Sequence, residues 1–196
     1  MSSENILDRV IDESDGILIS SDAFKAGVSK DQLYSYVKNN KLSRIAHGIY
    51  ITEGSREDEM YILQLRFPKA IFSHETALYL HDLAERESVP FTVTVPAKYH
   101  ATALSGLAKV VYVRDKWYEL GICERETPDG YKVKVYDPER TVCDLIRKKN
   151  GTDPAVFNYA LNEYVKSREK DYLRLTKYAK EFRIEEKLRM IMGVIL

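Results

Sequence analysis

The sequence predicts an α+β chain in two parts: a small head over residues 1–54, and a mixed α/β body over residues 55–196 that ends in helices. Three observations predict it. Helix signals, a glycine turn and a short alternating segment follow one another before residue 54. β-Branched runs with period-two alternation lie between residues 70 and 136. From Asp137 onward only helical signals remain.

In the head, Ile6, Leu7, Val10 and Ile11 form one apolar stripe, so residues 4–13 read as a helix that Gly16 ends. Ile17-Leu18-Ile19 is an apolar run that either begins a strand or plugs the core. Ser21 and Asp22 are N-cap residues for a short helix reaching Ala26, broken by Gly27. Ser29 opens the next helix. Its spacing to Gln32 is that of a capping box, and Asn40 suits the C-cap. Helix, short glycine turn, helix is the helix-turn-helix pattern. Residues 42–52 alternate around Gly48 and read as a hairpin, which completes a winged helix.

The polar residues 53–58 mark the boundary. In the body, Met60, Leu63 and Phe67 make a helix stopped by Pro68. Ala70-Ile71-Phe72 reads as a strand, and Ser73 caps a helix to about Leu83. Residues 91–95 and 110–113 alternate as strands. Pro128-Asp129-Gly130 turns residues 123–126 back onto 132–136 as a hairpin of a mixed sheet. Asp137-Pro138 and Asp153-Pro154 each place a cap and an N1 proline at a helix start. Val156, Tyr159, Ala160 and Tyr164 face the core from the second of these. Residues 173–182 and 184–195 read as two further helices.

Composition excludes several classes. Hydrophobic residues make up 44% of the 196 and charged residues 31%, which suits a chain with a packed core. Thirty basic and thirty acidic side chains cancel, so a nucleic-acid claim needs a local basic patch. Cys123 and Cys143 are too few for a disulfide framework and are expected as reduced thiols. No signal-peptide pattern and no membrane-length apolar run occurs, so a cytoplasmic location without a membrane partner is expected. His47, His74, His81 and His100 hold no metal-binding spacing. His74 and His81 are two helical turns apart, ~10.5 Å of rise, too far to share one ion. Gly54-Ser55 lacks the downstream paired carboxylates of a nucleotidyl-transfer site, and Glu185-Glu186-Lys187 lies in a helical tail rather than on a strand. No P-loop or nucleophile elbow occurs. The expectation is a binding protein, not an enzyme, with no cofactor, no metal and no catalytic residue.

The chemistry gathers on the second helix of the helix-turn-helix. Leu33, Tyr36 and Val37 would face inward. The outward face then offers amides, hydroxyls and lysines, the groups that read base edges and hold phosphates. The candidate DNA contacts are Ser29, Lys30, Gln32, Tyr34, Ser35, Lys38 and Asn39, with Arg44 and His47 from the hairpin. Residues 25–44 carry Lys25, Lys30, Lys38, Lys41 and Arg44 against Asp31 alone, an excess of four positive charges. The competing reading is a solvated helical face. The nine basic and five acidic residues of 166–196 are read in that second way.

Three segments carry a family resemblance. Leu42-x-Arg44 followed by Gly48-Ile49-Tyr50 resembles the close of the wing in AbiEi-type antitoxins of type IV toxin–antitoxin pairs. Ser73-His74-x-x-Ala77-Leu78-x-Leu80-His81 is similar to that family's helix after the first body strand. Tyr136-Asp137-Pro138-Glu139-Arg140-Thr141-Val142-Cys143-Asp144-Leu145-Ile146 resembles its Pro-Glu-Arg-Thr helix start. The resemblance covers about residues 5–165, and 166–196 match no motif. It implies an N-terminal domain that binds operator DNA, an inverted repeat in the chain's own promoter, and represses the operon. It also implies a C-terminal domain that counters a nucleotidyltransferase-like toxin without a stable complex. Read as plain residues, Asp137 caps its helix and Arg140 with Asp144 is an i,i+4 pair. The alternative function is a winged-helix regulator whose body senses a ligand or a protein and has no toxin partner.

Overall fold

The computed structural model describes residues 3–14, 16–147 and 152–195. Among them are ten helices and two sheets, an α+β chain. It divides into two compact units, Met1–Ile62 and Leu63–Leu196. The division falls inside helix α4 (Glu59–Arg66), just past the polar residues 53–58 where the sequence marks a boundary.

The first unit runs α1 (Ser3–Asp12), β1 (Ile17–Ile19), α2 (Ser20–Lys25), α3 (Lys30–Asn39), β2 (Ser43–Ala46) and β3 (Ile49–Ile51). The strands form an antiparallel sheet in the order β1-β3-β2, with Leu18 opposite Tyr50 and Tyr50 opposite Arg44. Ile17-Leu18-Ile19 is therefore a strand. Leu7, Ile11, Leu18, Ala23, Leu33 and Tyr36 are among the buried residues of one core, so all three helices dock on the same apolar cluster. Gly16 has φ +87°, and a Cβ there would meet the Ser55 hydroxyl at 2.0 Å, so only glycine closes the turn into β1.

The expected caps of α2 are corrected. The helix begins at Ser20, with Ile19 in the N-cap position and no side-chain cap. β1 feeds straight into α2 because the Ser20 N–H donates to the Gly48 carbonyl at 2.8 Å. Asp22 is drawn to Lys25 instead, at 2.8 Å.

The second unit builds a five-stranded mixed sheet, ordered β6-β5-β4-β8-β7, from β4 (Ile71–Phe72), β5 (Thr92–Pro96), β6 (Lys109–Val113), β7 (Ile122–Glu126) and β8 (Lys132–Tyr136). β4 pairs antiparallel with β5 and parallel with β8, β5 and β6 are parallel, and β7 and β8 form the expected hairpin. β4 is only two residues long, and Gln64 of α4 extends its line. The Gln64 carboxamide donates to the Lys134 carbonyl at 2.6 Å and accepts from the Lys134 N–H at 2.7 Å, as a strand backbone would.

Helix α5 (His74–Leu80) ends three residues earlier than the apolar pattern suggests. Asp82 turns left-handed, at φ 58°, and the Leu83 N–H closes onto the Leu78 carbonyl at 2.7 Å, so Leu83 is buried without being helical. Ser73 occupies the N-cap position but makes no cap bond, since Thr94 donates to its hydroxyl at 2.9 Å. A short helix α6 (Asp115–Tyr118), not expected from the sequence, precedes β7. The helices α7 (Pro138–Arg147), α8 (Pro154–Lys166), α9 (Tyr172–Glu181) and α10 (Glu185–Ile195) then share a core that includes Val142, Ile146, Leu161, Leu175 and Phe182.

Candidate nucleic-acid interface

Helix α3 starts where its sequence dictates. The Ser29 hydroxyl accepts from the Gln32 N–H at 3.3 Å, and the Gln32 side-chain oxygen accepts from the Ser29 N–H at 2.9 Å, a complete capping box. At the other end the Asn40 amide donates to the Tyr36 carbonyl at 3.1 Å, and Lys41 turns left-handed at φ 52°. The Leu42 N–H then closes onto the Val37 carbonyl at 3.1 Å. Leu33 and Tyr36 are buried, and the Tyr36 phenol donates to the Asp8 carboxylate of α1. Burial, then the Asp8 carboxylate, pushes that phenol well above the usual tyrosine range, so it stays a donor.

With the inner face fixed, the outer face is exposed. Ser29, Lys30, Gln32, Tyr34, Ser35, Lys38 and Asn39 are all solvent-exposed, as are Arg44 and His47 on the hairpin. Their chemistry divides. Ser29 and the Gln32 carbonyl oxygen are occupied by the capping box, which leaves the Gln32 NH2 as that residue's outward donor. Tyr34 is half exposed and lies under the Lys30 ammonium, 5.7 Å from its ring centre. Ser35, Lys38 and Asn39 have no side-chain hydrogen bond or ion pair among the described residues.

The hairpin holds its cation in place. Arg44 donates from Nε to the Ala46 carbonyl at 3.2 Å, and its Nη2 lies 3.0 Å from His47 Nδ1. A bulge between Arg44 and Ala46 and the left-handed Gly48, φ 73°, shape this tip. The charge count also changes. Lys25 is paired with Asp22, outside the 25–44 window, so it adds less than its formal charge. Lys41, part of the basic excess of residues 25–44 but not among the expected contacts, is exposed at the junction of α3 and β2. The left-handed turn after Asn40 is what places it there.

In the second unit, helix α7 turns its polar groups inward. In α7 every residue from Glu139 to Ile146 is buried. Arg140 is fully buried, with its guanidinium 4.3 Å from the Tyr136 ring centre and 4.5 Å from that of Phe182. It donates to Asp144 at 2.8 Å and to the carbonyls of Trp117 and Leu120 at 2.6 and 3.0 Å. Asp137 caps the helix through the Arg140 N–H and accepts from the Tyr178 phenol at 2.9 Å. Burial raises the Asp137 carboxyl, and those two hydrogen bonds oppose the rise. Glu139 accepts from Tyr164 and from the Asp171 N–H. Gly121, at φ 81°, lets the chain pass this knot, since a Cβ there would meet Arg140 at 2.8 Å. In the tail, Arg174 and Lys166 face acidic partners, while Lys177, Lys180, Arg183, Lys187 and Arg189 are exposed.

His81 is no surface histidine. Its Nε2 lies 2.8 Å from the Tyr136 carbonyl, and Arg125 Nε donates to its Nδ1 at 3.1 Å, which fixes the neutral tautomer. Burial lowers it from 6.5 to about 4. Arg125 continues to Glu169 at 2.8 Å and borders an open polar groove of about 850 Å³ with Tyr79, Asp82, Glu85 and Glu124. Both cysteines are free thiols, and burial pushes Cys123 up to about 11 and Cys143 up to about 12. No helix among the described residues is long and apolar enough to cross a membrane.

No family model and no curated protein matches the chain. Among solved structures it is similar to the RV2827C protein from Mycobacterium tuberculosis, with a TM-score of 0.59 at 12% identity, over 89% of this chain and 70% of that one. At that identity the likeness is one of fold.

Proposed function

We propose that this chain is a DNA-binding antitoxin. Its first unit is a winged helix that binds an inverted repeat in its own promoter and represses that operon. Its second unit counteracts a nucleotidyltransferase-like toxin without a stable complex. The protein acts in the cytoplasm as a binding protein, not an enzyme.

The observation that carries the DNA half is the outer face of α3. Lys38, Ser35 and Asn39 stand exposed on a helix whose ends are both closed and whose inner face is packed. Lys30, Lys41 and Arg44 surround them in a chain of zero net charge. A rigid helix presenting hydroxyls, amides and cations is the equipment of a major-groove reader. The toxin half rests on the resemblance of the three segments to AbiEi-type antitoxins. The polar groove beside Arg125 favours a second reading, a regulator whose body senses a small polar ligand.

The test is a titration of the full chain against duplex DNA from its own upstream region and against a scrambled duplex, at several salt concentrations. Preference for the upstream duplex supports the reading; equal binding overturns it. For the toxin half, the chain is expressed from a foreign promoter with the product of the neighbouring gene. Growth should be protected, and Ser35→Ala with Lys38→Ala should abolish repression while leaving protection intact. Loss of both functions in that folded variant would show that they are not divided between the units.

A further inference from the structure

The five-stranded sheet has two edges, β6 and β7, and they differ. β7 reads Ile-Cys-Glu-Arg-Glu, with three charges in five residues, and Arg125 is tied to Glu169. Charge on an edge strand discourages further pairing. β6 reads Lys-Val-Val-Tyr-Val, with one charge at its first position, no proline and no bulge. None of its five residues is buried, although four are apolar, and Tyr112 is 51% exposed.

The backbone of β6 has a definite polarity. The Lys109 N–H donates to the Phe91 carbonyl at 2.7 Å, and the Val113 carbonyl accepts from Ala97 at 2.8 Å. In the parallel register with β5, Lys109, Val111 and Val113 thus turn their peptide groups toward β5. Val110 and Tyr112 turn theirs outward, and neither has a partner on that side among the described residues.

We propose that this edge pairs antiparallel with the β6 edge of a second copy, joining two five-stranded sheets into one about a two-fold axis at Val111. Val110 of each copy sits opposite Tyr112 of the other. The outward N–H and C=O groups of these residues exchange hydrogen bonds, and Val111 faces Val111 as the close, non-hydrogen-bonded pair. The side chains suit this register, because aromatic and β-branched residues are favourable cross-strand partners. The charges suit it too. The two Lys109 side chains fall at opposite ends of the ribbon, ~13 Å apart along the strands. The same operation on β7 would set Glu124 against Glu124. Pairing β6 with β7 would leave open edges and build a filament rather than a closed dimer. The dimer stands independently of the DNA reading, and it would supply the two-fold symmetry of an inverted repeat.

The experiment is sedimentation equilibrium of the full chain without DNA, over a range of concentrations. The expected result is reversible association to twice the 22.7 kDa chain mass. Tyr112→Pro removes an outward N–H and the ring proposed to face Val110 of the mate but no bond to β5, so it should keep its circular dichroism and sediment as a monomer. Val111→Cys, in a Cys123→Ser background, should cross-link to its own mate under mild oxidation, while Lys109→Cys should not. Should Tyr112→Pro unfold, the cross-linking pair decides the matter. Wild type monomeric at every concentration, a folded Tyr112→Pro that still dimerises, mass growing beyond the dimer, or absence of the Val111→Cys cross-link would each overturn the proposal.

Discussion

Helices α3 and α7 are both ten residues long, both amphipathic, and both carry acids and bases, yet they use them in opposite ways. In α3, Lys30, Asp31 and Lys38 are exposed, and the buried residues are Leu33 and Tyr36. In α7, Glu139, Arg140 and Asp144 are buried, each with a partner inside the unit. Charges buried beside their partners are used up inside the unit, although Arg140 Nη2 has no hydrogen bond among the described residues, and they offer nothing to a visitor. Exposed polar groups without partners add little to stability and remain available for contacts outside the chain.

Breaking α7 should cost most. Arg140→Ala leaves Asp144 with Arg147 as its one remaining arginine among the described residues, strands the carbonyls of Trp117 and Leu120 and empties a fully buried site, and should destabilise the second unit by about 3–5 kcal/mol, measured by denaturant unfolding. Arg140→Met with Asp144→Leu, which removes both charges, should lose less. An Arg140→Ala loss below about 1 kcal/mol would mean that the knot is not what holds α7.

This contrast sets the limit of what the sequence made legible. Helix starts written in local chemistry could be read, as at Ser29 with Gln32, Asp137 and Asp153, because a cap is decided within four residues. Ser21, Asp22 and Ser73 carry the same signal but do not cap: the distant Gly48 takes the Ser20 N–H and starts the helix one residue early, Lys25 on the next turn takes the Asp22 carboxylate, and Thr94 from β5 donates to the Ser73 hydroxyl. The charge pattern of Glu139-Arg140-Thr141 gives no sign of its burial. That depends on Trp117, Tyr164 and Phe182, which only the tertiary fold brings near. The outward face of α3 could be read because its apolar residues fall on one side. That Ser29 and Gln32 serve mainly each other is visible only in the geometry.

Acid should weaken the second unit through His81. Unfolded, its imidazole takes a proton near 6.5; folded, only near 4. Between those values the unfolded chain binds the extra proton, so stability is complete above pH 6.5 and falls as the pH drops toward 4. The loss should approach roughly 3 kcal/mol. His81→Gln, which keeps a donor for the Tyr136 carbonyl and an acceptor for Arg125, should flatten that pH dependence in thermal melts; an unchanged slope would assign it to other groups.

Smaller effects sharpen the other side. Ser29→Ala should cost about 1 kcal/mol by opening the capping box, and Ser29→Gly only a few tenths of about that size. Lys38→Ala should leave unfolding free energy within about 0.5 kcal/mol of wild type, yet lower the salt dependence of binding to the upstream duplex by roughly one unit of slope. If Lys38→Ala destabilised the fold as much as Ser29→Ala, the division between structural and available polar groups in α3 would fail.

The carboxamide of Gln64 has a consequence for how the molecule ages. It faces a carbonyl and an N–H of Lys134 at once, so its oxygen and nitrogen are not interchangeable. Deamidation changes one atom, hardly alters the shape, and sets an anion against the Lys134 carbonyl at the short end of β4. A sheet completed by a side chain thereby inherits the chemical lifetime of that side chain, a vulnerability that a longer β4 would not have.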